Sequence, residues 1–146
     1  MSDWFEFDES ANVWVDADGK YFPPPWRIVA VPEVLTWLND RTKLNETERP
    51  FAVRALQLLA EDGPGLGRPW VDHIKGSRIR NLKELRFTST DSKHFRILFV
   101  FDPTRSAVLL VAGDKAGQWN RWYARAIRLA EQRYAQYLAL QRRGRS

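Results

Sequence analysis

Three β-prone segments in the second half of the chain, separated by short polar connections, place the strongest constraint on the fold. They cover residues 80–87, 94–101 and 107–115. Connections this short join antiparallel neighbours, whereas parallel strands need a crossover of roughly a dozen residues or more. The sequence therefore predicts an antiparallel meander as the main part of the core sheet.

The middle segment of the meander indicates where chemistry would lie. Successive side chains of a strand alternate between its two faces. One face of this segment carries an aromatic and aliphatic row that includes Phe95, and the other carries His94 and Arg96. A cation and an imidazole on one face of a sheet make that face the first place to look for a functional site.

Before the meander, the sequence predicts a strand and two helices. Residues 26–31 are rich in residue types that favour β-strands, and Pro32 follows them. This pattern predicts a strand and then a short helix over residues 32–39. Asn45 and Glu48 have the spacing of a capping box, and the apolar residues after them predict a helix over residues 47–62. The Gly63-Pro64-Gly65 sequence that follows should end this helix.

After the meander, the sequence predicts a long C-terminal helix. From Trp119 onward, aromatic residues and alanines recur at helical spacing with arginines between them. The helix should therefore be amphipathic and strongly basic. The predicted fold is α+β, with an antiparallel meander sheet of about four strands, two N-terminal helices and this long C-terminal helix.

Composition excludes several classes of protein. At 146 residues and 44% hydrophobic content, the chain suits one domain. It has no cysteine and two histidines, so neither a disulfide framework nor a zinc site is expected, and we predict that it uses no cofactor or metal. No leader or membrane-spanning segment is evident, which predicts a soluble, cytoplasmic protein without a membrane partner.

Charge divides the chain into three predicted parts. The first 25 residues hold six acidic residues and one lysine, a net charge of −5, although the whole chain carries +5. We predict that residues 1–25 form an acidic, aromatic extension with a short hairpin and a proline-rich linker, that residues 26–140 form the domain, and that residues 141–146 form a basic tail. The strongly basic remainder indicates a polyanion or an acidic protein as partner, or else an ordinary solvated surface.

Several sequence motifs resemble the RelE/HigB superfamily of toxins, in particular its larger, phage-derived HigB-like branch. The motifs occur in the order and at the spacing of that family between about residues 26 and 140. They are Leu66-Gly67-Arg68-Pro69-Trp70-Val71-Asp72, Ile74-Lys75-Gly76-Ser77-Arg78, Asn81-Leu82-Lys83-Glu84-Leu85-Arg86, Phe95-Arg96-Ile97-Leu98-Phe99-Val100-Phe101-Asp102-Pro103, Gly113-Asp114-Lys115 and Trp119-Asn120-Arg121-Trp122-Tyr123.

The resemblance implies a RelE-like fold and the toxin of a type II toxin–antitoxin system. Such toxins are metal-independent endoribonucleases that cleave mRNA, usually at the ribosome, and are neutralised by a cognate helix-turn-helix antitoxin. The chain departs from the family in one respect: short HigB toxins use a histidine-rich C-terminus, whereas the predicted C-terminal helix of this chain contains no histidine.

Candidate site residues follow from the resemblance and from the strand pattern. The resemblance assigns Arg86, Arg96 and Lys115 to basic catalytic positions, and Tyr123 or Trp122 falls near a tyrosine that contributes to catalysis in RelE. His94 joins them because it shares a face with Arg96 and because a free imidazole has a pKa near neutrality. The candidate RNA-binding residues are Lys75, Arg78, Lys83, Trp119, Arg121 and Trp122.

The chemistry suits these residue types, although each has a purely structural alternative. Metal-free RNA cleavage needs a proton acceptor, a proton donor and cations that stabilise the charge developing on the phosphorane. Arginine can hold two phosphate oxygens at once. Arg86 could instead form a salt bridge with Glu84, His94 and Lys115 could be solvated, and the aromatic residues of the last helix could pack in the core.

Two other functions stay open from the sequence. One is a non-catalytic protein of the same fold that binds RNA or a host factor, and the other is a gyrase-directed toxin like those of the ParE branch. A separate hypothesis is that the acidic residues 1–25 cover the basic face, so that their deletion would raise toxicity; the alternative is a hairpin that merely packs on the sheet.

Overall fold

A computed structural model describes residues 26–114 and 119–144 in full and, before them, the backbone of three short strands. These are β1 (Phe7–Asp8), β2 (Val13–Val15) and β3 (Tyr21–Phe22), which pair antiparallel in the order β1-β2-β3. The hairpin predicted in this region is confirmed by the pairing of β2 with β3. Its turn and the proline-rich linker lie outside the described residues, as does Lys115.

The core is a second sheet of five strands in the order β4-β8-β7-β6-β5. Its members are β4 (Arg27–Ala30), β5 (Val71–His73), β6 (Lys83–Thr88), β7 (His94–Phe101) and β8 (Ser106–Asp114). The antiparallel meander of β6, β7 and β8 confirms the prediction, and β7 has the predicted bounds.

Two features of this sheet correct the prediction of about four antiparallel strands. β4 pairs parallel with β8, which its connection permits because it contains two helices and is long enough for a crossover. β5 is a fifth strand, and its three residues are too few to show an alternating pattern. In addition, β6 begins at Lys83 rather than at residue 80, because Asn81 has a φ of +63°, which a strand cannot accommodate.

The two N-terminal helices occupy the predicted places. Helix α1 (Pro32–Asn39) has the predicted bounds, and α2 (Arg49–Asp62) begins two residues later than expected. The capping box is present in the turn before α2: the Asn45 amide side chain accepts from the backbone N–H of Glu48 at 3.0 Å, and the Glu48 carboxylate accepts from that of Asn45 at 2.9 Å.

Gly63 ends α2 for two physical reasons. Its φ is +58°, and a Cβ there would lie 2.2 Å from Nε1 of Trp26, so any side chain would be both strained and obstructed. The indole of Trp26 thus packs directly on the backbone at the end of α2. This contact fixes the start of β4 against the helix.

Helix α3 (Trp119–Gly144) covers one face of the sheet and continues as far as Gly144, so it includes the first residues of the predicted basic tail. Ala126 and Ala130 are buried, and Arg133 donates to the carbonyl oxygen of Leu110 in β8 at 2.9 Å. On the opposite face Phe95 packs against Trp37 of α1. Six consecutive residues of β7 are buried because helices cover both faces.

No helix in the described ranges is both long enough and apolar enough to cross a membrane. Within the same ranges, His, Asp and Glu side chains nowhere form a group of three that could hold a metal ion.

Candidate functional site

Two arginines face each other across β6 and β7. Arg86 is the register partner of Arg96, and the next pair on the same face is Thr88 with His94. Like charges placed directly opposite each other on a sheet destabilise it unless a counterion lies between them. The counterion here is a residue of β6 on the same face, Glu84, two residues before Arg86.

Glu84 is the shared counterion. Its Oε1 lies 3.7 Å from Nε of Arg96 and 3.7 Å from Nε of Arg86. Glu84 and Arg96 are both buried, whereas the side chain of Arg86 is 35% exposed. A single buried carboxylate therefore holds two guanidinium groups, one enclosed and one open to solvent.

Helix α3 closes over this charged cluster. The Tyr123 hydroxyl donates to Oε2 of Glu84, and the guanidinium carbon of Arg96 lies 5.0 Å from the centroid of the Trp119 ring. Burial and the neighbouring Glu84 carboxylate raise the pKa of Tyr123 to about 12. At neutral pH Tyr123 is thus a hydrogen-bond donor that orients Glu84, not a proton acceptor.

One N–H group of the Arg96 guanidinium has no hydrogen-bond acceptor among the described residues. One of its terminal nitrogens donates to the Phe95 carbonyl oxygen at 2.9 Å, but its buried Nε has no hydrogen-bond partner among the described residues. The 3.7 Å to Glu84 is an ion-pair distance, too long for a hydrogen bond. Buried donors are nearly always satisfied, so an unsatisfied Nε at this position is unusual.

The two arginines and His94 line one open groove of about 650 Å³, which we call the arginine groove. The residues that line it are Phe51, Pro69, Trp70, Arg86, Phe87, Thr88, His94 and Arg96. The Thr88 hydroxyl lies 3.1 Å from Nδ1 of His94, and no described residue hydrogen bonds the Nε2 of that ring. The groove thus combines two cations, an orientated imidazole and an aromatic wall.

Arg86 also has a second carboxylate beside it. Asp72 of β5 lies 3.9 Å from Arg86 and 2.8 Å from Arg68. A hydrogen bond from the His73 backbone, followed by the interaction with Arg68, lowers the pKa of Asp72 below its usual range. The salt bridge with Glu84 that was considered as an alternative for Arg86 is present as well, and both contacts coexist with a partly exposed guanidinium in the groove.

The aromatic candidates of α3 pack on one another and on the sheet. The ring centroids of Trp119, Trp122 and Tyr123 lie 5.1 to 5.5 Å apart. A Cβ on Gly113 would lie 2.3 Å from Nε1 of Trp122, so glycine at this position allows the indole to rest on β8. Arg121 is exposed on the outer side of the helix, with Arg125 and Arg128.

The other predicted RNA-binding residues lie apart from the groove. Lys75 and Arg78 are exposed on the loop between β5 and β6, and Glu131 of α3 tethers this loop by accepting from the Ser77 hydroxyl at 2.9 Å and from the Arg78 backbone N–H at 2.7 Å. Lys83 lies on the sheet face opposite Arg86, with its ammonium 5.4 Å from the centre of the Phe101 ring.

Arg86, Arg96, His94 and Tyr123 are thus brought together, whereas Lys75, Arg78 and Lys83 are not. The sequence analysis named Glu84 as a possible partner of Arg86, which is confirmed, but it missed the contact of Glu84 with Arg96 and the place of Trp70 in the groove wall. Strand alternation had put Glu84 on the face of Arg86, two residues before it.

Comparisons with known proteins place the chain in a family. Residues 39–135 match the model of the family described as "Phage derived protein Gp49-like". Two curated relatives from Mycobacterium tuberculosis bear toxin names, HigB2 and HigB3. The first is 43% identical over 109 residues, 75% of this chain and 53% of the relative. The second is 43% identical over 117 residues, 80% of this chain and 97% of the relative.

The chain thus spans about half the length of HigB2 and nearly all of HigB3. No solved structure matches it. The matched region contains all the residues of the arginine groove. The chain therefore belongs to the phage-derived Gp49-like family, among the HigB-like toxins, as its sequence motifs predicted.

Proposed function

We propose that the chain is the toxin of a toxin–antitoxin pair and that it cleaves mRNA in the arginine groove without a metal ion. The observation that carries the proposal is the groove itself, where Arg86, Arg96 and His94 face one volume of about 650 Å³. The toxin names of its relatives support the cellular role, and the groove supports the chemistry.

The arginines suit the binding of a phosphate that becomes more negative during reaction. In this cleavage the 2′-oxygen of a ribose attacks the adjacent phosphorus, the bond to the 5′-oxygen breaks, and a 2′,3′-cyclic phosphate results. Arg86 is exposed enough to meet the incoming phosphate. Arg96, which also lines the groove, supplies a second positive charge that is fixed beside the phosphate as negative charge develops in the transition state.

His94 is the group of the arginine groove suited to move protons at neutral pH. Its Nδ1 is engaged with Thr88, which orients the ring and leaves Nε2 to exchange a proton. One proton must leave the 2′-hydroxyl and one must reach the 5′-oxygen, and a single imidazole serves one of these steps. We assign His94 to proton transfer and the arginines to charge stabilisation.

The surroundings suit a large polyanionic target. The exposed arginines of α3 and the tethered loop with Lys75 and Arg78 extend the positive surface beyond the groove. Such charges attract nucleic acid without reading its sequence. We propose that they guide the chain to mRNA on the ribosome, and that a helix-turn-helix antitoxin neutralises the toxin.

The test is to induce the chain in cells and map the ends of cellular mRNA by primer extension, with His94→Gln and Arg96→Lys as variants. The proposal expects new 5′ ends with the unaltered chain and far fewer with either variant at equal protein level. Arrested translation with intact mRNA would contradict it and favour the non-catalytic alternative. A DNA-damage response without mRNA ends would favour action on gyrase. Co-expression of a helix-turn-helix protein encoded beside this chain should abolish the cuts.

A further inference from the structure

We propose that Trp70 is the platform on which one nucleobase of the bound single-stranded RNA stacks, beside the phosphate held by Arg86. This inference rests on the proposed function and names the element that recognises its substrate. Trp119 and Trp122 are poorly placed for this task. The Arg96 guanidinium lies 5.0 Å from the centre of the Trp119 ring, and Trp122 rests on β8 at Gly113.

The backbone fixes Trp70 next to Arg86. The Trp70 carbonyl oxygen accepts from the Arg86 N–H at 2.7 Å, which extends the ladder between β5 and β6 by one bond. The Trp70 N–H donates to the Gly67 carbonyl oxygen at 3.0 Å. Trp70 is two residues before Asp72, so alternation puts both on the face of the sheet that carries Arg86.

The indole of Trp70 lines the arginine groove and is half-buried. Its buried part packs against the hydrophobic core, so its position is held, and its remaining surface is available to a ligand. The groove volume of about 650 Å³ falls within the usual range for small-ligand sites, about 300–1,000 Å³. It therefore has room for one nucleotide between the aromatic wall and the cations.

The pairing of an aromatic face with a cation matches the two halves of a nucleotide. A base stacks on an aromatic ring with little regard to its identity, and a guanidinium binds the phosphate. A duplex keeps its bases stacked on one another and would not present one to Trp70. The substrate class is thus single-stranded RNA with a base turned out of the stack.

If Trp70 had only a structural role, its replacement would not change the effect of removing one particular base from the RNA. The experiment tests this difference. Full-length chain is titrated with single-stranded 2′-O-methyl RNA, which cannot be cut because its nucleophile is blocked. The oligonucleotides differ only in the position of one abasic nucleotide. The chain variants are Trp70→Phe, Trp70→Leu and the matched control Trp37→Leu, a half-buried tryptophan of α1 that does not line the groove.

We expect one abasic position to weaken binding to the unaltered chain by roughly 5- to 150-fold. That penalty should disappear in Trp70→Leu, persist in Trp37→Leu and stay largely intact in Trp70→Phe. An abasic penalty that persists in Trp70→Leu, the absence of any sensitive position, or the absence of RNA binding would each overturn the inference. Cleavage is scored separately by primer extension on cellular mRNA: a base that couples to Trp70 without new 5′ ends would remove the proposed function alone, and new 5′ ends without coupling would remove the role of Trp70 alone.

Discussion

The arginine groove and the outer face of α3 carry the same residue type in opposite surroundings. Arg96 is 7% exposed, shares Glu84 with Arg86 and lies under Trp119. Arg121, Arg125 and Arg128 are exposed on α3. A guanidinium held in one geometry can recognise the shape of a phosphate, whereas exposed guanidinium groups supply attraction that salt screens. From this comparison we expect the arginines of the groove to affect the rate of cleavage and those of α3 to affect the affinity for RNA.

The largest effect is expected from Arg96→Lys. Lysine keeps the charge beside Glu84 but lacks the planar fork, so stabilisation of the transition state should be lost. We expect cleavage to slow by roughly 10²- to 10³-fold with little change in RNA affinity. Single-turnover cleavage at saturating RNA measures this. A variant that cleaves normally would show that charge alone suffices and would erase the distinction between the two regions.

Arg96→Ala is a poorer test because it removes the partner of a buried carboxylate. Breaking a buried ion pair in this way costs about 3–5 kcal/mol, so lost activity could reflect unfolding. The matched control for Arg96→Lys is Arg86→Lys, which alters the more exposed of the two arginines. Since Arg86 is 35% exposed, we expect a smaller loss of rate there than at Arg96.

Tyr123→Phe tests whether α3 stabilises the groove through Glu84. The variant leaves the buried Glu84 carboxylate without its hydroxyl donor, and we expect it to be less stable by about 1–3 kcal/mol at pH 7. The pKa of about 12 in the folded chain exceeds the usual value of about 10, so the contribution of Tyr123 is complete below pH about 10 and is lost as pH rises toward 12.

Denaturant unfolding of both chains across this pH range provides the measurement. The stability gap between them should be constant below pH about 10 and should narrow above it. A gap that widens at high pH would mean that Tyr123 is ionised in the fold, and the assignment of donor and acceptor would be wrong.

Substitutions on the α3 face should change the salt dependence of RNA affinity rather than the rate of the chemical step. Replacing Arg121, Arg125 and Arg128 by glutamine removes three possible phosphate contacts. For single strands, the slope of log affinity against log salt should fall in magnitude by about 2 if all three engage RNA. Titrations at several salt concentrations measure the slope. A reduced cleavage rate at saturating RNA, with the slope unchanged, would show that these arginines affect the chemical step, as is expected of the arginines in the groove.

The meander and the helices were predictable because their signals are local. Alternation in residues 94–101, the capping box at Asn45 and the stop at Gly63 each act within a few residues, and the structure confirms all three. The same alternation already separated Lys83 from Arg86, since neighbours in a strand face opposite ways. Lys83 was included with the RNA-binding residues on account of its charge, and its role in binding stays a prediction.

The rest of the candidate site depends on contacts between distant residues. Tyr123 meets Glu84 across 39 positions of sequence, and no local pattern reports such a contact. β5 was missed because Asp72 and His73 make two of its three residues polar. Trp70 belongs to the groove through a hydrogen bond between the backbones of β6 and the turn before β5. Arg133 is one of the arginines between the aromatic residues and alanines of α3, yet it donates to a β8 carbonyl oxygen and pairs with Glu33, which no local pattern indicates.

The smallest effect is expected at Glu131, which tethers the loop of Lys75 and Arg78 to α3. Hydrogen bonds from the Arg78 backbone and the Ser77 side chain hold the pKa of Glu131 below its usual range, so it is ionised at neutral pH.

Glu131→Ala and Glu131→Gln both remove one negative charge, but only glutamine keeps an acceptor oxygen. The difference between them therefore isolates the tether from the charge. Because ordering a loop consumes binding free energy, we expect RNA affinity to be roughly two- to fivefold lower for alanine than for glutamine, with equal cleavage rates at saturation. Equal affinities would show that the loop takes no part in binding, and the positive surface would then reduce to the groove and α3.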